Sequence, residues 1–161
     1  MLTTLPVPIR FDLPEGWGAC DPHVASTTGV AFAGRRGEAD PRFTPTITID
    51  GDAVDAGVDL DRLGDESIDR LSTVFDAVAL IDRRHTGTAE MPFLVQSLAV
   101  EALIGDAVEN LIQDQVYALF TDGRSMSAAL VRTVLTSHRD QHLEAAAEFR
   151  TFLQTIELDR D

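Results

Sequence analysis

Two histidines near the C-terminus, His138 and His142, stand four residues apart, a spacing that puts two imidazoles on one face of a helix and lets them share a metal ion. The zincin pattern H-E-x-x-H is absent, because Arg139 follows His138, and no third ligand is indicated. We therefore expect solvated histidines in the first turn of a helix. Shared metal binding stays open as the alternative.

Carboxylates are concentrated between Asp50 and Asp69, and clustered carboxylate oxygens are the ligands that calcium prefers. The register of an EF-hand loop is missing. Counted from Asp50, the fifth position is Val54, and the sixth, where the motif needs glycine, is Asp55. We interpret the tract as an acidic loop that leads into a helix, and metal binding there stays open as the alternative.

No nucleophile stands in a catalytic context. Ser26, Ser67 and Ser125 lie outside any G-x-S-x-G motif, and neither phosphate-binding glycine pattern, G-x-G-x-x-G or G-x-x-x-x-G-K-[ST], occurs. Cys20, close to His23, is interpreted as an incidental thiol. We expect no catalytic residue, no cofactor and no enzymatic activity.

Arg35, Arg36 and Arg42 form the densest basic group and flank a loop. Because guanidinium groups pair with carboxylates, these arginines are a candidate docking site for an acidic partner, joined by Trp17 if its ring is exposed. The alternative is a solvated hairpin tip and a tryptophan packed in the core.

The composition limits which kind of protein holds these residues in place. The 161-residue chain has 27 acidic and 13 basic side chains, a net charge of -14 that repels nucleic acid and anionic membranes. With 44% hydrophobic residues and a single cysteine, one core without a disulfide is expected. All 13 basic residues are arginine, a bias of GC-rich coding that indicates an actinobacterial origin.

Neither export nor a membrane span is predicted. Met1 to Pro8 lacks the basic flank and the continuous apolar stretch of a secretory signal. The most apolar stretch, Met91 to Ile104, is too short to cross a bilayer as a helix and contains Gln96 and Glu101. We expect a cytoplasmic protein.

Hydrophobic periodicity predicts seven strands and two helices in the order βββαββββα. Strands are expected at Ile9–Leu13, Val30–Phe32, Thr46–Asp50, Val78–His85, Met91–Leu103, Ala107–Thr121 and Ser125–Thr136. Amphipathic helices are expected from Asp59 to Phe75 and from Ser137 to Glu157, the second with a capping box of Ser137 and Asp140.

Hairpin turns are marked by Gly87, Gly105 and Asp122-Gly123. The predicted fold is therefore α+β, a single domain with helices on both faces of a mainly antiparallel sheet.

Three features carry a resemblance to a known family: the opening PIRFDLPEGW, the order of the elements, and the closing VRTVLTSHRDQHLEAAAEFRTFLQTIEL. In these the chain resembles the PsbP-like superfamily, which includes PsbP of photosystem II, a Ran-binding nuclear import factor and actinobacterial LpqN-type lipoproteins. The resemblance covers nearly the whole chain and implies an α/β/α sandwich that docks to a partner protein and is not an enzyme. Because no lipidated N-terminal cysteine is present, an envelope role is not expected.

Two functions are compatible with this inventory. The leading one is a protein-interaction or accessory module that binds an unknown partner protein or a second copy of itself as a homodimer. The alternative is a carrier or sensor of a small or apolar ligand held between sheet and helix, since long apolar strands are able to line such a pocket. If Leu98, Val100, Leu111 and Phe149 filled the layers without a cavity, the alternative would fail.

Overall fold

The computed structural model describes residues 5–20, 31–37, 43–121 and 126–158. Its elements are β1 (Ile9–Arg10), β2 (Trp17–Cys20), β3 (Phe32–Arg36), β4 (Thr46–Asp55), α1 (Leu60–Ser72), β5 (Ala77–Gly87), β6 (Pro92–Ile104), β7 (Ala107–Phe120), β8 (Ser127–His138), α2 (His142–Thr155) and β9 (Glu157–Leu158). A 3₁₀ turn, Arg139–Gln141, precedes α2.

Strands β2 to β8 form one antiparallel sheet in the order β2-β3-β4-β8-β7-β6-β5. The segment with α1 carries the chain from β4 to the far edge, and the long hairpins β5 to β8 return until β8 pairs with β4. The two helices pack on opposite faces of this sheet. The predicted α+β class and α/β/α sandwich with seven antiparallel strands are confirmed.

Helix α1 begins after Asp59, whose carboxylate accepts a hydrogen bond of 3.0 Å from a first-turn N–H. The apolar side of the helix packs against Leu98, Val100 and Leu111 of β6 and β7. The predicted helix is confirmed, and it ends at Ser72, about a turn earlier than the periodicity indicated.

A buried polar network lies between α1 and the sheet. The Gln96 amide donates to Gln115 Oε1 at 2.8 Å and to the Gly64 carbonyl at 3.2 Å. Gln115 donates to the Ser67 hydroxyl at 3.1 Å, and the Arg83 guanidinium donates to Gln96 Oε1 at 3.0 Å. Because each of these side chains has a partner, the network holds α1 over β6 and β7 without an unpaired buried group.

Helix α2 covers the other face through Phe149 and Phe152, which pack with Ile47 and Ile49 of β4. The N-terminal segment completes this layer, since the rings of Phe11 and Phe152 meet edge to face with centroids 5.4 Å apart. The core on this side is therefore centred over β3, β4 and β8.

The start of the C-terminal helix differs from the prediction. Ser137 is buried in β8, and His138 caps the 3₁₀ turn instead, accepting from the Asp140 N–H at 3.1 Å, while Gln141 Oε1 accepts from the His138 N–H at 3.1 Å. Pairing with β7 continues through His138, so the first N–H groups that need a cap come one residue later. Within the described chain, Ser137 Oγ has no hydrogen-bond partner.

At the N-terminus, β1 is shorter than the predicted strand Ile9–Leu13 and pairs with β9 outside the main sheet. The ladder ends because the Asp12 N–H donates to the Thr155 hydroxyl at 2.9 Å. The edge strand next to β3 is instead β2, which the pattern did not predict.

The acidic tract begins in a strand. Asp50 lies in β4, as the predicted strand Thr46–Asp50 requires, but Asp52 and Asp55 lie in β4 as well, so the predicted acidic loop is wrong for these two residues. Pairing along all of β4 with β8 outweighs the low strand propensity of aspartate. Asp50 accepts a hydrogen bond of 2.8 Å from Arg132. Burial is the largest single effect on the pKa of Arg132 and lowers it, but the charge and hydrogen bond of Asp50, together with those of Tyr117, outweigh burial, and the pKa is raised.

Two of the predicted reversals are confirmed. Gly87 and Gly105 have φ of +84° and +62°, a conformation that glycine adopts without strain. The predicted turn at Asp122-Gly123 lies outside the described residues, and the strands on either side of it pair antiparallel.

Candidate binding groove on the face of α2

Helix α2 leaves part of its face of the sheet uncovered, and this part is the floor of an open groove of about 870 Å³. The floor includes Phe93 and Val95 of β6 and Val116, Ala118 and Phe120 of β7. Helix α2 forms one wall, β5 the opposite rim, and β1 and β9 one end. The volume falls within the range of about 300–1,000 Å³ that is usual for small-molecule sites.

The groove follows from the topology of the sheet. Seven strands about 4.8 Å apart make a face about 29 Å wide, whereas one helix is about 10–12 Å across. Helix α2 folds back along β8, near the middle of the sheet, and the N-terminal segment covers the side of β3 and β4. The described residues leave the side of β5 and β6 open.

Thirteen of the 22 residues that line the groove are apolar. The backbone N–H and C=O groups of its floor are paired within the antiparallel ladder between β6 and β7. A ligand on this floor therefore meets side chains, and few backbone hydrogen-bonding groups are free to receive it.

Ser97, Asp114 and His142 form a polar cluster at the end of the groove near the start of α2. The Asp114 carboxylate accepts from the Ser97 hydroxyl at 2.6 Å and meets His142 Nε2 at 2.8 Å. A serine nucleophile needs a base within hydrogen-bond reach of its hydroxyl, whereas here the serine and the histidine both bind the same carboxylate. The cluster contains the three residue types of a Ser-His-Asp catalytic triad, but its hydrogen bonds are not those of a triad.

Arginines border the groove. Arg84 lies on the β5 rim, Arg150 on α2, and Arg10 at the end closed by β1 and β9. Arg10 is paired with Glu157 at 3.1 Å, and Arg84 is 3.4 Å from Asp82. Arg150 makes no ion pair or hydrogen bond with the described part of the chain.

Of the four predicted docking residues the structure describes Trp17, Arg35 and Arg36, and Trp17 is not exposed beside the arginines. Trp17 is 8% exposed, and its indole N–H donates to Glu148 Oε2 at 2.7 Å. Arg36 pairs with the same carboxylate and lies over the Trp17 ring, 5.7 Å from its centroid. The core position of Trp17 is confirmed, so its ring offers no exposed anchor. Arg35 is exposed, Arg42 lies outside the described residues, and a docking role for these arginines stays a prediction.

The two histidines have separate partners. His138 is 7% exposed with Nε2 2.8 Å from Glu109 Oε2, so the expectation of a solvated histidine is wrong for it. His142, half-buried, binds Asp114 as described. Strand β8 continues to His138, which places the two imidazoles in different surroundings. Among residues 5–20, 31–37, 43–121 and 126–158, no group of three or more potential ligands is close enough to hold a metal.

The other candidate nucleophiles lie in structural positions or outside the described chain. Cys20 is half-buried in β2, and Ser67 belongs to the polar network under α1. His23, Ser26 and Ser125 are outside the described residues.

The sequence reasoning missed the groove residues, although one signal was present. In β7, Val116, Ala118 and Phe120 alternate with the buried Tyr117 and Leu119, so both faces of the strand are apolar. That pattern predicts a helix over each face. It does not tell how much of a face the helix covers.

No protein-family model and no curated protein sequence matches the chain. Solved structures do. The chain is similar to LpqN of Mycobacterium tuberculosis, a protein involved in cell envelope biogenesis, with a TM-score of 0.64 at 11% identity over 95% of this chain and 85% of that one. It is similar to the cyanobacterial PsbP of Synechocystis, with a TM-score of 0.59 at 18% identity over 94% and 86% of the two chains.

The Ran-binding protein Mog1p of Saccharomyces cerevisiae matches with a TM-score of 0.51 at 8% identity, over 93% of this chain and 89% of that one. These three structures represent the kinds of protein named for the sequence resemblance. The chain has the PsbP-like fold. In the described part of the chain, neither helix combines the length and the apolar character needed to cross a bilayer.

Proposed function

We propose that this chain is a non-enzymatic binding protein that holds an apolar ligand in the groove beside α2. The observation that carries the proposal is the open volume of about 870 Å³ over an apolar floor. Leu98, Val100, Leu111 and Phe149, whose packing would have excluded a ligand, do not fill this groove. The first three lie under α1 on the other face of the sheet, and Phe149 forms part of the groove wall.

The absence of catalysis is part of the proposal. In the polar cluster of the groove the histidine does not contact the serine, because one carboxylate takes up both side chains. The non-catalytic names of the structural neighbours, an envelope biogenesis protein and a Ran-binding protein, support the same interpretation. The cytoplasmic location stays a prediction.

A neutral fluorescent probe tests the proposal. Nile red should bind wild-type protein saturably and brighten in the groove, and Ala118→Trp, which fills the floor, should abolish the signal. Leu143→Trp is the matched control, because Leu143 is exposed on α2 and does not line the groove. Both variants are checked for fold by circular dichroism. Absence of saturable binding, or equal binding by folded Ala118→Trp, would exclude a ligand in this groove.

Strand β5 favours a second candidate, pairing with a second copy of the chain. The outer edge of β5 has no partner strand in the described sheet. Two of its apolar residues, Leu80 and Ile81, have 45% and 55% of their surface exposed. A dimer through β5 predicts twice the monomer mass in light scattering, and Ile81→Lys should return the monomer. A monomeric mass for the wild type at every concentration would rule this candidate out.

A further inference from the structure

The groove is lined by more basic than acidic side chains, the opposite of the chain as a whole. If the proposed function holds, this difference affects which ligand charge the groove favours. Three arginines and two carboxylates line it, whereas the whole chain has 13 basic and 27 acidic side chains. Both carboxylates are already engaged, Asp114 by the polar cluster and Glu157 by Arg10. The groove therefore offers an anion a local attraction, although the chain as a whole is acidic.

Two of these arginines face each other across the groove. Helix α2 runs back along β8, and the eight residues from its start to Arg150 advance about 12 Å, the length of three to four strand residues. His142, at the start of α2, meets Asp114, which is level with Leu135 of β8, so Arg150 lies near the level of Val131. Val131 is two residues from Thr133, which is in register through β7 and β6 with Arg84. One guanidinium therefore stands on each rim near the middle of the groove.

The guanidinium of Arg150 is available to a ligand, since it has no ion pair or hydrogen bond within the described residues. Among the described residues, Arg84 pairs only with the exposed carboxylate of Asp82 at 3.4 Å, and an exposed pair of this kind contributes little. An anionic group placed between the two arginines would gain charge-assisted hydrogen bonds without breaking a buried pair.

The floor favours a hydrocarbon chain over a peptide. An extended peptide would bury its N–H and C=O groups against strands whose own groups are already paired. A helical peptide satisfies its own backbone, but at about 10 Å across it would fill 870 Å³ within about two turns. A single acyl chain has no polar groups to satisfy along its length.

We propose that the groove binds a single-chain, long-chain carboxylate, with its head group between Arg84 and Arg150 and its tail along the floor toward Phe93 and Phe120. The orientation follows from the two ends of the groove. The opposite end holds the Asp114 carboxylate, which repels the head group, whereas the tail direction spans the apolar residues of β6 and β7.

Competition against Nile red tests this ligand class. Palmitate should displace the probe from the wild type at about tenfold lower concentration than methyl palmitate, which has the same chain without the charge. Arg84→Gln/Arg150→Gln should reduce that preference to about twofold or less while Nile red still binds. Arg62→Gln, on α1 at the other face of the sheet, should leave the preference unchanged. The preference should also fall as salt rises.

The outcomes separate the two proposals. If both competitors displace Nile red equally, the groove binds apolar ligands and the carboxylate proposal is overturned. A palmitate preference that survives in Arg84→Gln/Arg150→Gln overturns it too, because the head group then lies elsewhere. If Nile red itself does not bind the wild type, the failure belongs to the proposed function, and direct calorimetry with palmitate that shows no heat overturns the carboxylate site as well.

Discussion

Replacing Gly64 by alanine should destabilise this protein, although alanine is the better helix former. Gly64 lies buried on the sheet side of α1. A Cβ at this position would stand 2.6 Å from Gln96 Oε1, 3.0 Å from Arg83 Nη2 and 3.1 Å from Leu94 Cδ2. The nearest of these contacts is shorter than packed side chains tolerate, so Gln96 has to move.

The magnitude follows from two opposing effects. Alanine stabilises a helix interior by about 1 kcal/mol relative to glycine. Gln96 is fully buried and makes hydrogen bonds to Gln115, to Arg83 and to the backbone of α1. Displacing its amide disrupts one or two of them, and each buried group left unpaired costs about 1–3 kcal/mol. The balance is a net loss of about 2 kcal/mol.

Urea unfolding of Gly64→Ala, followed by circular dichroism, measures the loss. Asp69→Ala, an exposed substitution on the same helix, should stay within about 0.5 kcal/mol of the wild type. In a Gln96→Ala background the closest contact is gone, and Gly64→Ala should there become neutral or stabilising. If Gly64→Ala alone is as stable as the wild type, the polar network does not constrain the helix and the reasoning is refuted.

Two further substitutions address other parts of the fold. Glu148→Ala removes the acceptor of the Trp17 indole N–H, so the fluorescence emission of this single tryptophan should shift and stability should fall by about 1–2 kcal/mol. Glu148→Gln, which keeps an acceptor oxygen, should retain most of the native emission. Unchanged emission in Glu148→Ala would contradict the hydrogen bond. Gly87→Ala places a Cβ at positive φ against the carbonyl that closes its turn, and should cost at least about 2 kcal/mol in thermal unfolding. Gly105→Ala, with positive φ but open space around the Cβ, should cost less, and equal losses would show that steric contact is not the reason.

Most of the regular elements were predictable because their signals are local. The period of α1 and its Asp59 cap, the alternation in β7 and β8, and the glycines at two hairpin turns each depend on neighbours within a few residues. Elements without such a signal were missed. β2 has four residues with no apolar alternation, and it becomes a strand because β3 pairs with it.

Errors of interpretation came from distant contacts. Asp52 and Asp55 look like loop residues, yet their strand is held by ten-residue pairing with β8. His138 looks like an exposed first-turn residue, yet the ladder with β7 extends to it and Glu109 binds its imidazole. In both cases the partner is far along the chain, and spacing within the segment does not contain it.

By itself, the sequence determined the class of fold, the two helices and the strands of the main sheet other than β2. It also determined the lack of a recognisable catalytic motif. All of these depend on periodicity and residue type. Only the tertiary structure decided that Trp17 is tied to Glu148, that His142 and Asp114 meet, and that a groove remains beside α2. The physical reason is one of width. A single helix cannot cover a seven-stranded face, and which strands stay open depends on where α2 lies, which no local pattern encodes.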